Sequence, residues 1–294
     1  MTAPTAHTPE HIPEYTPEEL AVFEQQWIDT VQEDQELTRF GLYPQGSRDR
    51  GKGELQGSYQ IYLPPAYEDD PDARFPVVYW LHGGFGNARQ GGAAVQRIDA
   101  AIRVGAMPPT IVVLPQALPI GWYVDSKDGA RPVEQTIADD LVNHVDATYR
   151  TIREPWARTI EGFSMGGFGA LHIGFKYPKI FGRVSAIASP LLKDLSMEPD
   201  ERVANTFFGD QAYYDAVSPW TLLLANSPEI RNHSKVRLMV GSRDERLVGV
   251  VREMDEMLAT LGVEHEYHVV AGADHDYPVL LDGLGDRYAA FWRK

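Results

Sequence analysis

One pentapeptide near the middle of the chain has the pattern of a serine nucleophile. Residues 162–166 read GFSMG and match G-x-S-x-G, with Ser164 at the centre. The preceding residues, ARTIEGF, have the composition of a strand, and the following residues, GGFGALHIGFKYP, have that of a helix. In such a strand-to-helix turn, glycines let the two backbones approach, and the serine hydroxyl projects above the edge of the sheet. The pattern predicts that Ser164 is a nucleophile.

A serine nucleophile needs a histidine that accepts its proton. After this kind of turn the carboxylate and then the histidine follow in the chain, so the candidate bases lie beyond Ser164. We predict His275 as the base because it lies in the loop AGADHDYP after a predicted strand, where a side chain can reach over the sheet edge. The competing histidines fall in a predicted helix, in an irregular region or within a strand: His172, His233, His265 and His268.

A carboxylate must orient the base, and Asp244 lies between Ser164 and His275 in the chain, as the expected order requires. It lies in GSRDE, directly after the predicted strand KVRLMV and before a helix. Asp274 and Asp276 are alternatives, but they adjoin His275 in sequence, and neighbouring side chains tend to point apart. Asp244 could instead cap the following helix, a role that does not exclude the first. We predict Asp244 as the triad carboxylate.

Backbone amides must stabilise the negative charge that forms on the carbonyl oxygen during attack. The residue after the nucleophile, Met165, is expected to give one N–H donor. The second is expected from HGGFG at residues 82–86, which follows the predicted strand PVVYWL. We predict Gly84 as this donor, with Gly83 and Phe85 as alternatives, and His82 as a residue that shapes the loop.

The elements that must position these residues alternate along the chain. From Ser58 onward, strand-like runs are separated by helical patterns, and the nearly continuous apolar runs PVVYWL, TIVVL and VRLMV are typical of parallel strands covered on both faces. The expected architecture is the α/β-hydrolase fold, a mostly parallel central sheet flanked by helices, over residues 41–294. Residues 190–234 are expected to form an irregular region that contains short helices and covers the active site. Residues 1–40 are expected to form an N-terminal extension, with a surface arm over Met1–Tyr15 and an amphipathic helix that opens at Thr16 and runs to about Glu36.

Composition excludes several classes of function. The 294 residues include 27 Lys and Arg against 42 Asp and Glu, a formal net charge of −15. Such a surface repels phosphate backbones and anionic lipid, so we expect neither nucleic acid nor a membrane as partner. The chain has no cysteine, which excludes a thiolate nucleophile. The N-terminus shows no basic segment followed by an apolar stretch, so a cytoplasmic location is expected.

No metal or cofactor is expected. His265 and His268 are three residues apart in a predicted strand, which places them on opposite faces, and the sequence has no H-E-x-x-H helix. A phosphate loop of the form GxxxxGK[ST] does not occur, and the glycines near Gly83 lack the spacing of a dinucleotide site.

Several segments together resemble one known group of enzymes. YLPPAY, VVYWLHGG, GWYVDS, ATYRT before the turn, and GFSMGGFGAL, with the late Asp and His, are similar to the esterase D and feruloyl esterase family, which includes the mycolyltransferases. The resemblance covers roughly Ser58 to the C-terminus. It implies the same assignments: Ser164, Asp244 and His275 as the triad, and Gly84 with Met165 as oxyanion donors.

The function expected from these observations is hydrolysis of carboxylic esters through an acyl-enzyme, of the feruloyl or acetyl esterase type. The substrate is expected to be a small-molecule or saccharide-linked ester, and a homo-oligomer is left open. The alternatives are an acyltransferase of the same fold and a catalytically silent binding protein. Trp122, in GWYVDS, is predicted to contact substrate. Other aromatic residues that could wall the pocket are Phe85, Tyr213, Tyr214, Trp220 and Tyr277.

Overall fold

An eight-stranded sheet forms the centre of the protein in the computed structural model, which describes residues 16–23 and 25–293. The order across the sheet is β1-β2-β4-β3-β5-β6-β7-β8. The strands are β1 (Arg39–Pro44), β2 (Gln56–Tyr62), β3 (Val77–Leu81), β4 (Ile111–Pro115), β5 (Arg158–Phe163), β6 (Arg183–Ile187), β7 (Lys235–Gly241) and β8 (His265–Val270).

Helices fill the connections between the strands. α7 contacts β5 and β6, α11 contacts β7 and β8, and α10 lies against α7. The α-helices are α1 (Pro17–Phe23), α2 (Gly46–Asp49), α3 (Ala66–Asp69), α4 (Gly92–Arg103), α5 (Val133–Gln135), α6 (Val142–Thr148), α7 (Met165–Lys176), α8 (Asp200–Phe207), α9 (Gln211–Val217), α10 (Pro219–His233), α11 (Val248–Thr260), α12 (Tyr277–Leu284) and α13 (Asp286–Ala290). A π-helical segment, Thr136–Leu141, joins α5 to α6, and 3₁₀ turns occupy Ala88–Gly91, Pro155–Ala157 and Leu195–Met197.

Strand direction determines where the candidate residues meet. β2 runs antiparallel to both β1 and β4, whereas the six strands β3 to β8 all run parallel to one another. The carboxyl ends of β3, β4, β5, β7 and β8 therefore lie at one edge, and the candidate residues follow those five strands. The predicted mostly parallel sheet is confirmed.

Burial explains why the apolar runs form the central strands. Every residue of β3 and β4 is buried, as expected for strands with helices on both faces. The helix α7 is buried along nearly its whole length, from Met165 to Phe175, because it lies directly on the sheet. The nucleophile candidate is thus held between a central strand and a buried helix.

A buried ion pair that was not predicted from the sequence crosses the sheet. Arg237 of β7 donates from Nη2 to Glu161 Oε2 of β5 at 2.6 Å, and both side chains are fully buried. Ser185 Oγ also donates to Glu161, at 2.8 Å, and Tyr288 Oη donates to its other oxygen at 2.7 Å. With these bonds the pair is satisfied, as a buried charge must be. It fixes the C-terminal helix α13 to the sheet.

The N-terminal extension differs from the prediction. The helix α1 ends at Phe23 instead of continuing to about Glu36, and the predicted arm, Met1–Tyr15, lies outside the described residues. Beyond the helix the chain bonds to the sheet: the Ser58 N–H donates to the Trp27 carbonyl at 3.1 Å, and Asp29 N–H donates to Ser58 Oγ at 2.8 Å. These hydrogen bonds to β2 take the place of the backbone bonds that a longer α1 would have made. β1, which begins inside the predicted extension, was not predicted as a strand.

Residues 190–234 contain the expected short helices and one longer helix. The 3₁₀ turn at Leu195–Met197 is followed by α8, α9 and α10, the last of which has 15 residues. Only the start of this region lines the cavity described below. α10 instead packs against α7, where Asn226 Nδ2 donates to the Phe175 carbonyl at 3.0 Å. Among the described helices, none combines the length and apolar character needed to cross a bilayer.

Candidate active site

Ser164 occupies a strained turn between β5 and α7. Its φ of 56° and ψ of −121° are unfavourable for a residue with a Cβ. The flanking glycines are required by close backbone contacts. A Cβ on Gly162 would lie 2.2 Å from the Gly166 carbonyl oxygen, and one on Gly166 would lie 2.1 Å from that of Leu81. The G-x-S-x-G spacing is therefore a consequence of how tightly strand and helix meet here.

His275 and Asp244 form a hydrogen-bonded pair at the same edge of the sheet. His275 Nδ1 lies 2.7 Å from Asp244 Oδ2, and both side chains are largely buried. Because an ionised carboxylate can only accept, Nδ1 is the donor, and a neutral ring then has Nε2 free to accept a proton. The ring of Phe163, the residue before Ser164, lies 4.7 Å from the His275 ring, centroid to centroid.

The described residues show no hydrogen bond between Ser164 Oγ and the His275 ring. Nucleophile–base bonds in ligand-free enzymes are commonly long and shorten when substrate binds. In the structure Asp244 already orients the His275 ring, and Ser164 lies in the adjoining turn between β5 and α7.

The alternative carboxylates have other partners. Asp274 Oδ1 accepts from the backbone N–H of its neighbour, His275, at 2.9 Å. Asp276 Oδ1 caps α12 by accepting from the Val279 N–H at 3.1 Å. The Asp244 side chain caps no helix, because α11 begins beyond it with Leu247 as the N-cap. Of the three carboxylates, Asp244 alone contacts the His275 ring.

The other histidines after Ser164 are held away from the nucleophile. His172 is buried between the Glu134 carboxylate, at 2.6 Å, and the Val217 carbonyl, at 2.7 Å. His265 and His268 lie in β8, as predicted, and contact Asp255 and Glu266. His233 ends α10 and pairs with Glu229 at 3.4 Å.

The two predicted oxyanion donors line one cavity with Ser164. Met165 is the first residue of α7, where an N–H has no acceptor within the helix. The Phe85 N–H donates to the Pro119 carbonyl at 2.7 Å, which removes Phe85 from consideration. Within the described structure the Gly84 N–H makes no hydrogen bond, and Gly84, unlike Gly83, lines the cavity.

His82 shapes the loop that carries Gly84. It is fully buried, with Nδ1 2.8 Å from the Gly83 carbonyl and Nε2 accepting from the Ala117 N–H at 3.3 Å. Burial lowers the pKa of His82 below its ordinary value, which keeps the ring neutral, and a neutral ring can donate at one nitrogen and accept at the other. The role expected from the sequence matches these contacts.

The cavity around Ser164 is open and has about 340 Å³ of empty volume. Trp122 lines it, although the side chain is largely buried, and its Nε1 donates to the Arg202 carbonyl at 2.7 Å. Of the other aromatic candidates only Phe85 reaches the cavity. Tyr277, for example, is buried and accepts from Trp80 Nε1 at 2.8 Å. The remaining lining residues were not predicted: Ile120, Pro190, Glu198, Arg202 and Arg246.

A larger cavity, with about 1090 Å³ of empty volume, lies at the opposite edge of the sheet. It is formed around Val77, Thr159 and Arg183, where β3, β5 and β6 begin. Its lining contains no serine, histidine or carboxylate. Size alone therefore does not single out the cavity that contains Ser164. The described residues also include no cluster of side chains suited to a metal ion.

Comparison with known sequences gives a consistent result. The model of the Esterase family, described as "Putative esterase", matches residues 56–284. An esterase of Mycobacterium tuberculosis is 29% identical over 259 residues, which cover 76% of this chain and 54% of that protein. The chain thus spans about half the length of the curated relatives it matches.

Solved structures share the fold. A ferulic acid esterase aligns with a TM-score of 0.71 at 20% identity, over 87% of this chain and 98% of that one. An S-formylglutathione hydrolase of Staphylococcus aureus aligns with a TM-score of 0.68 at 15% identity, again over 87% of this chain and 98% of that one. At these identities the similarity concerns the fold, and the predicted α/β-hydrolase architecture is confirmed.

Proposed function

The chain belongs to the Esterase family, and on that premise we propose that it hydrolyses carboxylic esters with Ser164 as nucleophile. The observation that carries this proposal is the 2.7 Å bond between His275 Nδ1 and Asp244 Oδ2, at the sheet edge where Ser164 occupies its strained turn. An oriented base beside a projecting hydroxyl is the arrangement that acyl transfer to serine requires.

In the first half of the reaction His275 Nε2 accepts the proton of Ser164 Oγ as the oxygen attacks the ester carbonyl. Asp244 holds the ring in the correct tautomer and stabilises its positive charge. The N–H groups of Gly84 and Met165 donate to the oxyanion, assisted by the positive end of the α7 dipole. His275 then gives its proton to the leaving alcohol, the ester C–O bond breaks, and the acyl group remains on Ser164.

In the second half water replaces the alcohol. His275 accepts a proton from the water as it attacks the acyl-enzyme, then returns that proton to Ser164 Oγ as the carboxylic acid leaves. The same intermediate would pass its acyl group to an alcohol if one were bound in place of water. Product analysis with added alcohol therefore separates hydrolysis from acyl transfer.

The substrate proposed is a small-molecule or saccharide-linked ester of the feruloyl or acetyl type. The names of the two structural neighbours, a ferulic acid esterase and an S-formylglutathione hydrolase, support an acyl group that is aromatic or short. The cavity is small, and Trp122 and Phe85 line it, which suits the same groups.

A panel of acetyl, feruloyl and thioester substrates tests the proposal. We expect turnover of at least one ester, and a loss of kcat of about 10⁴-fold or more in Ser164→Ala. Ser227→Ala, at a partly exposed serine on α10, is the matched control and should retain full activity. Turnover that Ser164→Ala leaves unchanged would refute the assignment.

A further inference from the structure

Two guanidinium groups and one carboxylate line the cavity that contains Ser164. Glu198 is nearly fully buried, with 2% of its side chain exposed, whereas Arg202 and Arg246 expose 21% and 45%. Arg202 Nη1 lies 3.3 Å from Glu198 Oε2, and Arg246 Nη1 bonds to the other oxygen, Oε1. Two positive charges thus share one negative charge, which leaves a net charge of +1.

The other residues that line this cavity are uncharged, and Asp244 is bound to His275. The residues that line the cavity therefore carry a net charge of +1, in a chain whose formal net charge is −15. Because Arg202 is mostly buried, its positive charge is less screened by water than that of Arg246. This local charge is opposite to that of the molecule as a whole.

Both guanidinium groups have unused hydrogen-bond donors. A guanidinium carries five N–H donors, and each arginine gives Glu198 only one. Arg202 Nε is buried and has no partner among the described residues. Buried donors without partners are unfavourable, and an acceptor with two oxygens, such as a carboxylate, matches the guanidinium geometry.

The position of Arg202 is fixed by the loops of the proposed catalytic site. Its carbonyl accepts from Trp122 Nε1, and its guanidinium lies 5.4 Å from the centroid of the Phe85 ring, next to Gly84 in sequence. Arg246 follows Asp244 by two residues, in the loop after β7. Both cations are therefore held by the segments that hold the oxyanion donor and the triad carboxylate.

We propose that Arg202 and Arg246 bind a carboxylate on the ester substrate, so that the preferred substrate carries a negative charge in addition to the ester group. This inference rests on the proposed function, because it concerns specificity at the same Ser164 site. Glu198 acts as a positioning residue that holds the two arginines together. The carboxylate can belong to the acyl group or to the alcohol, and the experiment separates these two cases.

Two pairs of substrates distinguish the cases. Monoethyl succinate and diethyl succinate differ by a carboxylate on the acyl side, and 4-acetoxybenzoate and its methyl ester differ by one on the alcohol side. We expect wild-type kcat/KM to favour the anionic member of at least one pair by about tenfold or more, and to do so less at high salt. Arg246→Gln should abolish this preference, because kcat/KM should fall by about tenfold or more for the anionic ester and by much less for the neutral ester.

Two control variants should either leave the preference for the anionic ester unchanged or increase it. Arg243→Gln removes an exposed arginine of the same loop that does not line the cavity, and it should leave the preference unchanged. Glu198→Gln removes the negative charge but keeps an amide oxygen that can still accept from an arginine, so it should increase the preference for the anionic ester. This variant serves as the test if thermal unfolding shows that Arg246→Gln is not folded.

The inference is overturned if wild type prefers neither anionic ester, or if Arg246→Gln lowers anionic and neutral turnover equally. It is also overturned if Glu198→Gln reduces the preference. Failure of the proposed function looks different, because then no ester in either pair shows turnover that depends on Ser164.

Discussion

At the residue scale, the bond from His275 Nδ1 to Asp244 Oδ2 determines which ring nitrogen can act as base. Donation from Nδ1 leaves Nε2 to accept the serine proton. The proposed rate enhancement thus depends on Asp244, which orients His275 and need not contact the substrate.

Asp244→Asn tests this dependence. An asparagine amide can donate to Nδ1 and so stabilise the tautomer with its proton on Nε2, and kcat should fall by about 10³- to 10⁴-fold with little change in KM. Asp276→Asn is the matched control, because asparagine also caps a helix, and its activity should stay near that of wild type. Equal activities in the two variants, measured on any ester that the enzyme turns over, would contradict the triad assignment.

The oxyanion assignment can be tested at Gly84 by a pair of variants. No atom lies within 4 Å of a Cβ built on Gly84, so Gly84→Ala should fold and retain the N–H donor. Gly84→Pro lacks that N–H, and its kcat should be about 10²- to 10³-fold below that of the alanine variant. Similar kcat values in two folded variants would exclude this amide as a donor.

At the element scale, the turn between β5 and α7 depends on glycines that no larger residue can replace. Gly166→Ala would place a Cβ 2.1 Å from the Leu81 carbonyl oxygen, which is backbone and cannot move freely. We expect a loss of about 1–3 kcal/mol in the free energy of unfolding by urea. Gly249→Ala in α11 meets nothing within 4 Å and should be neutral or slightly stabilising. Equal stability of the two variants would show that the turn is not tightly packed.

The elements most accurately predicted from sequence are those with strong patterns. The apolar runs of β3, β4 and β7 match their predicted positions, because a strand buried on both faces is composed mainly of apolar residues. The helix after Leu247 also matches its predicted position. β1 was missed because it is a mostly exposed edge strand whose pairing with β2 is set by tertiary contacts. The end of α1 was misjudged for the same reason.

The site residues also divide into those that a local sequence pattern predicts and those that no pattern predicts. Ser164 could be predicted because its turn imposes a local motif, and Asp244 and His275 because each follows a recognisable strand. Glu198 and Arg202 have no such signal, since the sequence does not show that the start of α8 and the residues just before it line the cavity of Ser164. Arg246 lies two residues from Asp244, and its charge was the available clue.

At the scale of the whole molecule, buried charges join the layers and make stability depend on pH. Glu134 accepts hydrogen bonds from His172 and from Lys176 and Tyr177 at the end of α7. Burial alone would raise the pKa of Glu134, but these bonds outweigh it and lower the pKa from 4.5 to about 2. The unfolded chain therefore binds the proton more readily than the native protein does.

Glu134→Gln tests this linkage. A depressed carboxyl pKa contributes stability that is fully present above pH 4.5 and lost as the pH falls toward 2, by roughly 3 kcal/mol in total. Urea unfolding of wild type should lose more stability between pH 5 and pH 2.5 than the variant loses. Parallel curves for the two proteins would show that Glu134 does not carry this dependence.

The central claim is that Ser164 is an activated nucleophile, and covalent labelling tests it most directly. A neutral fluorophosphonate should add one phosphonyl group per chain, and peptide mapping by mass spectrometry should locate it at Ser164. Labelling should be absent in Ser164→Ala and slower by orders of magnitude in His275→Ala. An adduct at another residue, or equal labelling of wild type and Ser164→Ala, would contradict the account.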